Sequence, residues 1–239
     1  MMKRIVAIVG GGPAGMSCAI WLKYFGFYPI IIEKSDRLGG ASTINPFHNR
    51  WYLGMPGQTG KENAEQFRRH IALEEITTLS GSKLKRIIRE EDFRLFTEEH
   101  EITAQAIVIA TGQRFRGYES IKSIAASQEI ELSPRVCFNP GATPATHGKV
   151  VAVVGGGDNG IGTAMWLAHT AKQVHLFVRS EMRGFEINQQ GILEYVSTGK
   201  ITLHQPATLD RLELRGDRVH ISFEENRSLK QELMVDYIL

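Results

Sequence analysis

One stretch of this sequence occurs twice. Residues 5–22 read IVAIVGGGPAGMSCAIWL and residues 150–167 read VVAVVGGGDNGIGTAMWL, with ten of eighteen positions identical. Each copy places GxGxxG between a short apolar run and a segment with helical spacing, which is the strand, turn and helix order that binds a dinucleotide. The repeat therefore predicts two bound dinucleotides, and it favours a flavin and a nicotinamide that exchange a hydride.

The first copy ends in an acidic residue. Its glycines are Gly10, Gly12 and Gly15, and a second apolar strand is predicted over residues 28–32. Glu33 follows that strand, at a place where a carboxylate can accept hydrogen bonds from a ribose diol. The amide groups and the positive dipole at the start of the helix suit a diphosphate. An isolated GxGxxG can be only a sharp turn, but here the strand, the helix and the acid accompany it.

The second copy differs at the corresponding end. Gly155, Gly157 and Gly160 supply the glycines, and the strand that follows the helix ends at Arg179. A carboxylate there would repel the 2′-phosphate of NADP, whereas a guanidinium can bind it through two hydrogen bonds. Arg183 is a candidate for a second phosphate ligand. The alternative is that both arginines are solvated surface charges. The pattern favours NADPH over NADH.

Composition excludes several classes of protein. The 239 residues are 42% hydrophobic with a net charge of +2, and no basic run interleaved with aromatics suggests a nucleic-acid groove. No apolar stretch is long enough to cross a membrane, and the N-terminus enters a strand without room for a signal peptide. Two distant cysteines and eight scattered histidines show no metal-ligand spacing. We expect a cytoplasmic protein that binds neither metal, membrane nor nucleic acid.

These patterns predict an α/β fold with two Rossmann-like dinucleotide-binding domains, each in three layers around a parallel sheet, with an added antiparallel β-meander. The predicted domains are 1–115 and 116–239. The meander falls within residues 84–103, and an apolar strand over 106–110 follows it. A single final strand is predicted over 233–239.

The order of motifs resembles the low-molecular-weight thioredoxin reductase-like flavoproteins. It comprises the first GxGxxG, the acid, Gly39-Gly40, the segment LGMPG at 53–57, the meander, Ala110-Thr111-Gly112 and a second GGGD turn. The resemblance covers essentially the whole chain. It implies FAD on the first domain, NADPH on the second, and a homodimer. Trp51 and Tyr52 would pass near the flavin, although packing roles suit them better.

Matching positions in the resemblance supply the expected ligand contacts. FAD would be contacted by Gly10, Gly12, Pro13, Ala14, Gly15, Glu33, Lys34, Gly40, Thr111 and Gly112. The nicotinamide nucleotide would be contacted by Gly155, Gly157, Asp158, Asn159, Gly160, Arg179 and Arg183. Because the two cofactors carry the chemistry, we expect a hydride to pass from NADPH to the flavin and electrons to pass on to an acceptor. No side chain is assigned a catalytic role.

One departure from the family concerns its cysteines. Thioredoxin reductases carry a Cys-x-x-Cys pair before the second glycine turn, where this chain reads Cys137-Phe138-Asn139-Pro140. A lone Cys137 is a reactive thiol, a remnant or a small buried residue, and the last interpretation is favoured. The scaffold without the pair resembles the thioredoxin reductase-like ferredoxin or flavodoxin NADP reductases. The expected acceptor is therefore a redox carrier protein or a small molecule.

A second departure is that the family's C-terminal segment, which completes the FAD domain, is missing. Either the chain is a truncated form or it is a naturally shortened relative with an incomplete flavin site, and we expect a C-terminally truncated form. Two alternatives stay open beside the flavin-dependent NADPH oxidoreductase. One is a dithiol reductase that uses a thiol from a partner protein. The other is a non-catalytic module that binds or senses dinucleotides.

Overall fold

The computed structural model describes residues 4–49, 52–226 and 229–239. Trp51 lies outside the described residues. The chain divides into two compact units, Met1–Arg114 and Phe115–Leu239, which we call unit 1 and unit 2. Within the described part of the chain, no helix combines the length and apolar character that a membrane span requires.

Unit 1 is built around a parallel sheet. Its elements are β1 (Ile5–Val9), α1 (Pro13–Tyr24), β2 (Tyr28–Ile32), β3 (His48–Asn49), β4 (Gln58–Thr59), α2 (Gly60–Leu73), β5 (Thr77–Leu79), β6 (Arg86–Arg89), β7 (Phe93–Phe96), β8 (Glu101–Ala104) and β9 (Ala106–Ile109). The parallel sheet has the order β5-β2-β1-β9, and β6-β7-β8 form the predicted antiparallel meander. The short strand β5 carries too little pattern to be read from the sequence.

The apolar strands β1 and β2 are covered on both faces, which explains their unbroken runs of β-branched residues. Ile8 and Ile31 face the helices and pack with Met16 and Ile71. Ala7 and Ile32 belong to a second cluster that includes Leu95 of the meander. Unit 1 thus has the three layers that the sequence predicts.

Unit 2 repeats this plan and adds a larger antiparallel sheet. Its elements are β10 (Val150–Val154), α3 (Asp158–Leu167), β11 (Gln173–Phe177), α4 (Glu186–Ser197), β12 (Ile201–His204), β13 (Ala207–Arg215), β14 (Arg218–Glu225), β15 (Leu229–Val235) and β16 (Tyr237–Ile238). The parallel sheet has the order β12-β11-β10-β16, and the antiparallel sheet has the order β13-β14-β15. The predicted fold class is confirmed in both units.

The predicted final strand over 233–239 is wrong in one respect, because it is two strands in two different sheets. β15 pairs antiparallel with β14, whereas β16 pairs parallel with β10. Asp236 separates them: its backbone amide donates to the Val150 carbonyl and its Oδ2 accepts from the Val150 amide at 2.8 Å. The run MVDYIL is apolar except for Asp236, and a single polar residue within it does not mark a change of sheet.

The helices α1 and α3 begin at Pro13 and Asp158, directly after Gly12 and Gly157. The glycine turns are therefore the helix amino ends themselves. The segment over 113–148, weakly patterned in sequence, contains short 3-10 turns and an edge contact in which Cys137 donates its amide to the Ile238 carbonyl at 2.8 Å.

A pair of histidines lies between the two sheets of unit 2. His175 Nδ1 is 3.0 Å from His204 Nε2, and the His204 ring stacks on Phe177 and meets the edge of Phe223. Burial, with a smaller contribution from His204, lowers the pKa of His175 to about 4. Burial also lowers the pKa of His204, despite the nearby Glu225. The pair is therefore neutral at pH 7.

Acid is expected to destabilise unit 2 through this pair. The unfolded chain protonates His175 near its ordinary pKa of about 6.5, whereas the folded chain resists protonation until about pH 4. Stability is thus lost as the pH falls from about 6.5 to about 4, by up to about 3 kcal/mol. Urea unfolding at a series of pH values should show a shallower acid loss for His175→Gln than for the unaltered chain. The exposed His147→Gln serves as control, and equal slopes for both variants would contradict the assignment.

Candidate dinucleotide-binding sites

The first glycine turn is fixed by close backbone contacts. The Gly10 amide donates to the Ile32 carbonyl at 2.8 Å, which ties the end of β1 to the end of β2. A Cβ on Gly15 would lie 2.0 Å from the Gly10 carbonyl oxygen, so only glycine lets α1 pack on the turn. Gly10 has a φ of 110°, which also favours glycine.

Glu33 closes this turn from the end of β2. Its carboxylate is buried, with Oε2 accepting from the Gly11 amide at 2.7 Å and Oε1 accepting from the Ser35 amide at 2.8 Å. Each carboxylate oxygen keeps a further lone pair for a ligand hydroxyl. Glu33 thus both holds the glycine turn and offers negative charge beside it.

Other predicted FAD contacts gather at the same edge of the sheet. A Cβ on Gly40 would lie 3.0 Å from the Gly12 Cα, so this neighbouring loop approaches the turn closely. On the opposite side, a Cβ on Gly10 would lie 3.1 Å from the Thr111 Cα. The exposed Gly112 follows Thr111, just as the exposed Lys34 follows Glu33.

The amino end of α1 leaves backbone donors for an anion. The first intrahelical bond runs from the Met16 amide to the Gly12 carbonyl. The amides of Ala14 and Gly15 precede it and have no acceptor within the helix, while Pro13 has no amide hydrogen to satisfy. This geometry fits a pyrophosphate.

The second turn repeats two backbone contacts of the first, at its first and third glycines. The Gly155 amide donates to the Phe177 carbonyl at 2.9 Å, and a Cβ on Gly160 would lie 2.0 Å from the Gly155 carbonyl oxygen. A Cβ on Gly157 would enter open space, where a bound phosphate could approach the backbone. The two turns are therefore equivalent cradles.

Strand register corrects the predicted equivalence of Glu33 and Arg179. Val9 pairs with Ile32 in unit 1 and Val154 pairs with Phe177 in unit 2, so Val178 occupies the position of Glu33. Arg179 corresponds instead to Lys34. Val178 is buried and its Cγ1 would lie 2.7 Å from a Cβ on Gly156. The second turn therefore has an apolar side chain where the first has a carboxylate.

Arg179 and Arg183 line one cleft of about 320 Å³ beside β11, which we call the β11 cleft. Both side chains are exposed, and among the described residues neither forms an ion pair. The Arg183 amide donates to the Gly156 carbonyl at 2.6 Å, which anchors its loop to the glycine turn. With Glu181 as the acidic residue of the lining, the arginines leave the cleft positively charged.

The predicted contacts Asp158 and Asn159 have different surroundings. Asp158 Oδ1 accepts from the Phe185 amide at 2.7 Å and from Asn188 Nδ2 at 2.8 Å. This carboxylate therefore holds the loop before α4 and also suits the positive end of α3. Asn159 is exposed and lines a second, largely apolar cavity.

That second cavity, the β16 cavity, has a volume of about 230 Å³ and lies on the other side of Val154. Cys137, Phe138, Ile238 and Asn159 are in its lining. Burial raises the pKa of the Cys137 thiol above its usual value, so the group is protonated at pH 7. Pro140 stands where a second cysteine of a Cys-x-x-Cys pair would be.

Comparison with known proteins agrees with this geometry. The sequence model of the pyridine nucleotide-disulphide oxidoreductases matches residues 4–238. The chain belongs to that family. The match covers both glycine turns and confirms the resemblance that the motifs indicate.

Individual family members show how broad the similarity is. A thioredoxin reductase of Vibrio cholerae is 29% identical over 225 residues, covering 90% of this chain and 66% of that protein. A ferredoxin–NADP reductase of Limosilactobacillus fermentum is 30% identical over 210 residues, covering 85% of this chain and 62% of that protein. The chain therefore spans slightly less than two thirds of the length of these relatives.

Solved structures confirm the fold. The thioredoxin reductase of Lactococcus lactis in its FR conformation has a TM-score of 0.86 at 21% identity, over 99% of this chain and 76% of that one. The likeness extends through both dinucleotide-binding units.

Sequence reasoning missed several residues that shape these sites. The two copies of the repeat are separated by a constant number of residues. When this spacing is extended beyond Phe177, Val178 corresponds in position to Glu33. Ser120, Ser123 and Thr208 also line the β11 cleft. They come from segments outside the repeat, and no sequence pattern marks them.

Glu33 offers a direct test of the first site. In Glu33→Ala the buried Gly11 amide loses its acceptor, which should lower the free energy of unfolding by about 1–3 kcal/mol. Glu33→Gln keeps an acceptor for the buried Gly11 amide but loses the charge and the acceptor for the Ser35 amide, so it should fold with a smaller loss of stability and retain less FAD. Flavin absorbance per chain and calorimetry measure the two effects. The exposed Glu91→Gln is the matched control, and full flavin retention by Glu33→Gln would contradict the assignment.

Proposed function

We propose that the chain is an FAD-dependent NADPH oxidoreductase, with FAD at the turn of unit 1 and NADPH at the turn of unit 2. When bound, the flavin supplies the redox chemistry by taking a hydride from NADPH and giving electrons to an acceptor. The chain's own residues bind and orient the two nucleotides. The family is named for its pyridine nucleotide, which supports the nicotinamide cofactor. The thioredoxin reductase and ferredoxin–NADP reductase relatives use FAD together with NADPH, which supports both cofactors.

The observation that carries this proposal is a difference in charge: the two turns have similar backbones, but the residues that follow the neighbouring strand differ. Glu33 places a buried carboxylate beside the first turn, which suits the ribose hydroxyls of FAD and repels a phosphate there. The second turn has the apolar Val178 at the position of Glu33, and the cationic Arg179 follows one residue later. The second site thereby suits a ribose that carries a 2′-phosphate.

The second nucleotide would lie across the carboxyl end of β10. Val154, at that end, lines both the β11 cleft and the β16 cavity. The amino end of α3 lies between them and would bind the pyrophosphate. The adenosine end then occupies the β11 cleft, and the nicotinamide end extends towards the apolar β16 cavity.

We further propose that electrons leave without thiol–disulfide exchange. Cys137 is buried, its thiol is protonated at neutral pH, and Pro140 replaces a second cysteine. A redox carrier protein or a small molecule would take the electrons directly from the flavin. The name of the L. fermentum relative, a ferredoxin–NADP reductase, supports a carrier protein. Homodimer formation and a cytoplasmic location stay predictions.

An absorption spectrum tests the core of the proposal. The purified chain should be yellow, or become yellow with added FAD, and its flavin band should bleach when NADPH is added without oxygen. A colourless chain that takes up no FAD would overturn the proposal. Stoichiometric nucleotide binding without bleaching would favour the non-catalytic module instead.

Arg179→Ala should change the KM for NADPH but not the KM for NADH. Losing a charged ligand of the 2′-phosphate should raise the KM for NADPH by about tenfold or more and leave the KM for NADH within about twofold. Steady-state reduction of an artificial acceptor measures both constants. Arg215→Ala, on the antiparallel sheet, is the control. An equal change for both nucleotides would remove Arg179 from the phosphate site.

Cys137→Ala distinguishes direct transfer from a dithiol route. Because the thiol is buried and protonated, the variant should keep its rate of NADPH-dependent reduction, and an alkylating reagent should modify Cys137 slowly in the folded chain. Loss of turnover in Cys137→Ala, together with rapid alkylation after reduction, would support a dithiol reductase that borrows a partner's thiol.

A further inference from the structure

The arginines form only one wall of the β11 cleft. The opposite wall comes from the segment around Ser120 and Ser123 and from the start of β13, where Ala207, Thr208 and Leu209 lie. These residues are outside the strand, turn and helix that define a dinucleotide-binding unit. A ligand in this cleft would therefore also contact the antiparallel sheet.

We infer that Thr208 is a further ligand of the 2′-phosphate, so that the antiparallel sheet takes part in selecting NADPH over NADH. This inference rests on the proposed function. Thr208, Arg179 and Ser180 each line two pockets, the β11 cleft and an adjoining polar pocket of about 200 Å³. Thr208 therefore lies, as Arg179 does, at the boundary between the two pockets.

Two hydrogen bonds fix this placement. The Ala207 amide donates to the Val178 carbonyl at 2.9 Å, which joins the start of β13 to the residue before Arg179. Gln205 Nε2 donates to the Ser180 carbonyl at 2.9 Å. Ala207 and Val178 are buried, whereas Thr208 and Arg179 are exposed. The two exposed side chains are thus held on neighbouring, mutually bonded segments.

Charge decides on which side of Thr208 a phosphate would lie. Asp210 and Glu224 line the adjoining pocket, and Thr208 pairs directly with Glu224 across the strands. Two carboxylates disfavour a phosphate in that pocket, while Arg179 and Arg183 favour one in the β11 cleft. A threonine hydroxyl can donate to an anionic oxygen, which the carboxylates cannot do. Ser120 and Ser123 also carry hydroxyls on this wall, but of the three only Thr208 lines, as Arg179 does, both the β11 cleft and the adjoining pocket.

Binding of two adenosine fragments to the full chain tests the inference. The probes are 2′,5′-ADP, which carries a 2′-phosphate, and 5′-AMP, which has the same 5′-phosphate but no 2′-phosphate. Each is titrated by calorimetry. Thr208→Val should weaken 2′,5′-ADP about five- to tenfold and leave 5′-AMP within about twofold. Thr208→Ser keeps the hydroxyl and should bind 2′,5′-ADP as the unaltered chain does. Thr103→Val, on an exposed position of β8, is the matched control.

The outcomes separate this inference from the proposal on which it rests. If the unaltered chain prefers 2′,5′-ADP but Thr208→Val binds it equally well, only the role of Thr208 is overturned. If Thr208→Val binds both probes more weakly by the same factor, the role of Thr208 is likewise overturned. The loss of a contact to the 2′-phosphate cannot weaken the binding of 5′-AMP, which has no 2′-phosphate. If the unaltered chain does not prefer 2′,5′-ADP at all, the NADPH site itself is wrong.

Discussion

In each unit the amino end of a helix lies directly against the carboxyl end of a strand, with no room for a side chain between them. A Cβ atom on Gly15 would lie 2.0 Å from the carbonyl oxygen of Gly10, and a Cβ atom on Gly160 would lie at the same distance from that of Gly155. Any larger residue would push the helix away from the sheet. The backbone donors at the helix start, and hence both predicted phosphate cradles, depend on this contact.

Once the cradle is fixed, the next strand decides which nucleotide suits it. In unit 1 the buried Glu33 carboxylate is held by two backbone amides, so its charge has a defined position beside the turn. In unit 2 the same position is the apolar Val178, and the charge beside it is positive. The two units share a backbone but differ in electrostatics. This difference is the physical basis for assigning FAD to one and NADPH to the other.

Much of this could be predicted from the sequence, because the repeat, the glycine spacing and the apolar strands are local patterns. The two parallel sheets, the meander and the gathering of Thr111 near Gly10 follow from them. The split at Asp236 could not be predicted, since one polar residue within an otherwise apolar run also occurs in a single strand. The second wall of the β11 cleft escaped for a similar reason: Thr208 reaches it through a backbone bond between Ala207 and Val178. Such a contact joins segments that no short motif connects.

The central claim is that one chain binds two different dinucleotides at two separate turns. Calorimetric titration of the purified chain with FAD and with NADP⁺, each alone and then in the presence of the other, tests it most directly. Each chain should bind one FAD and one NADP⁺ together, without competition. Mutual competition for a single site, or binding of only one of the two, would contradict it.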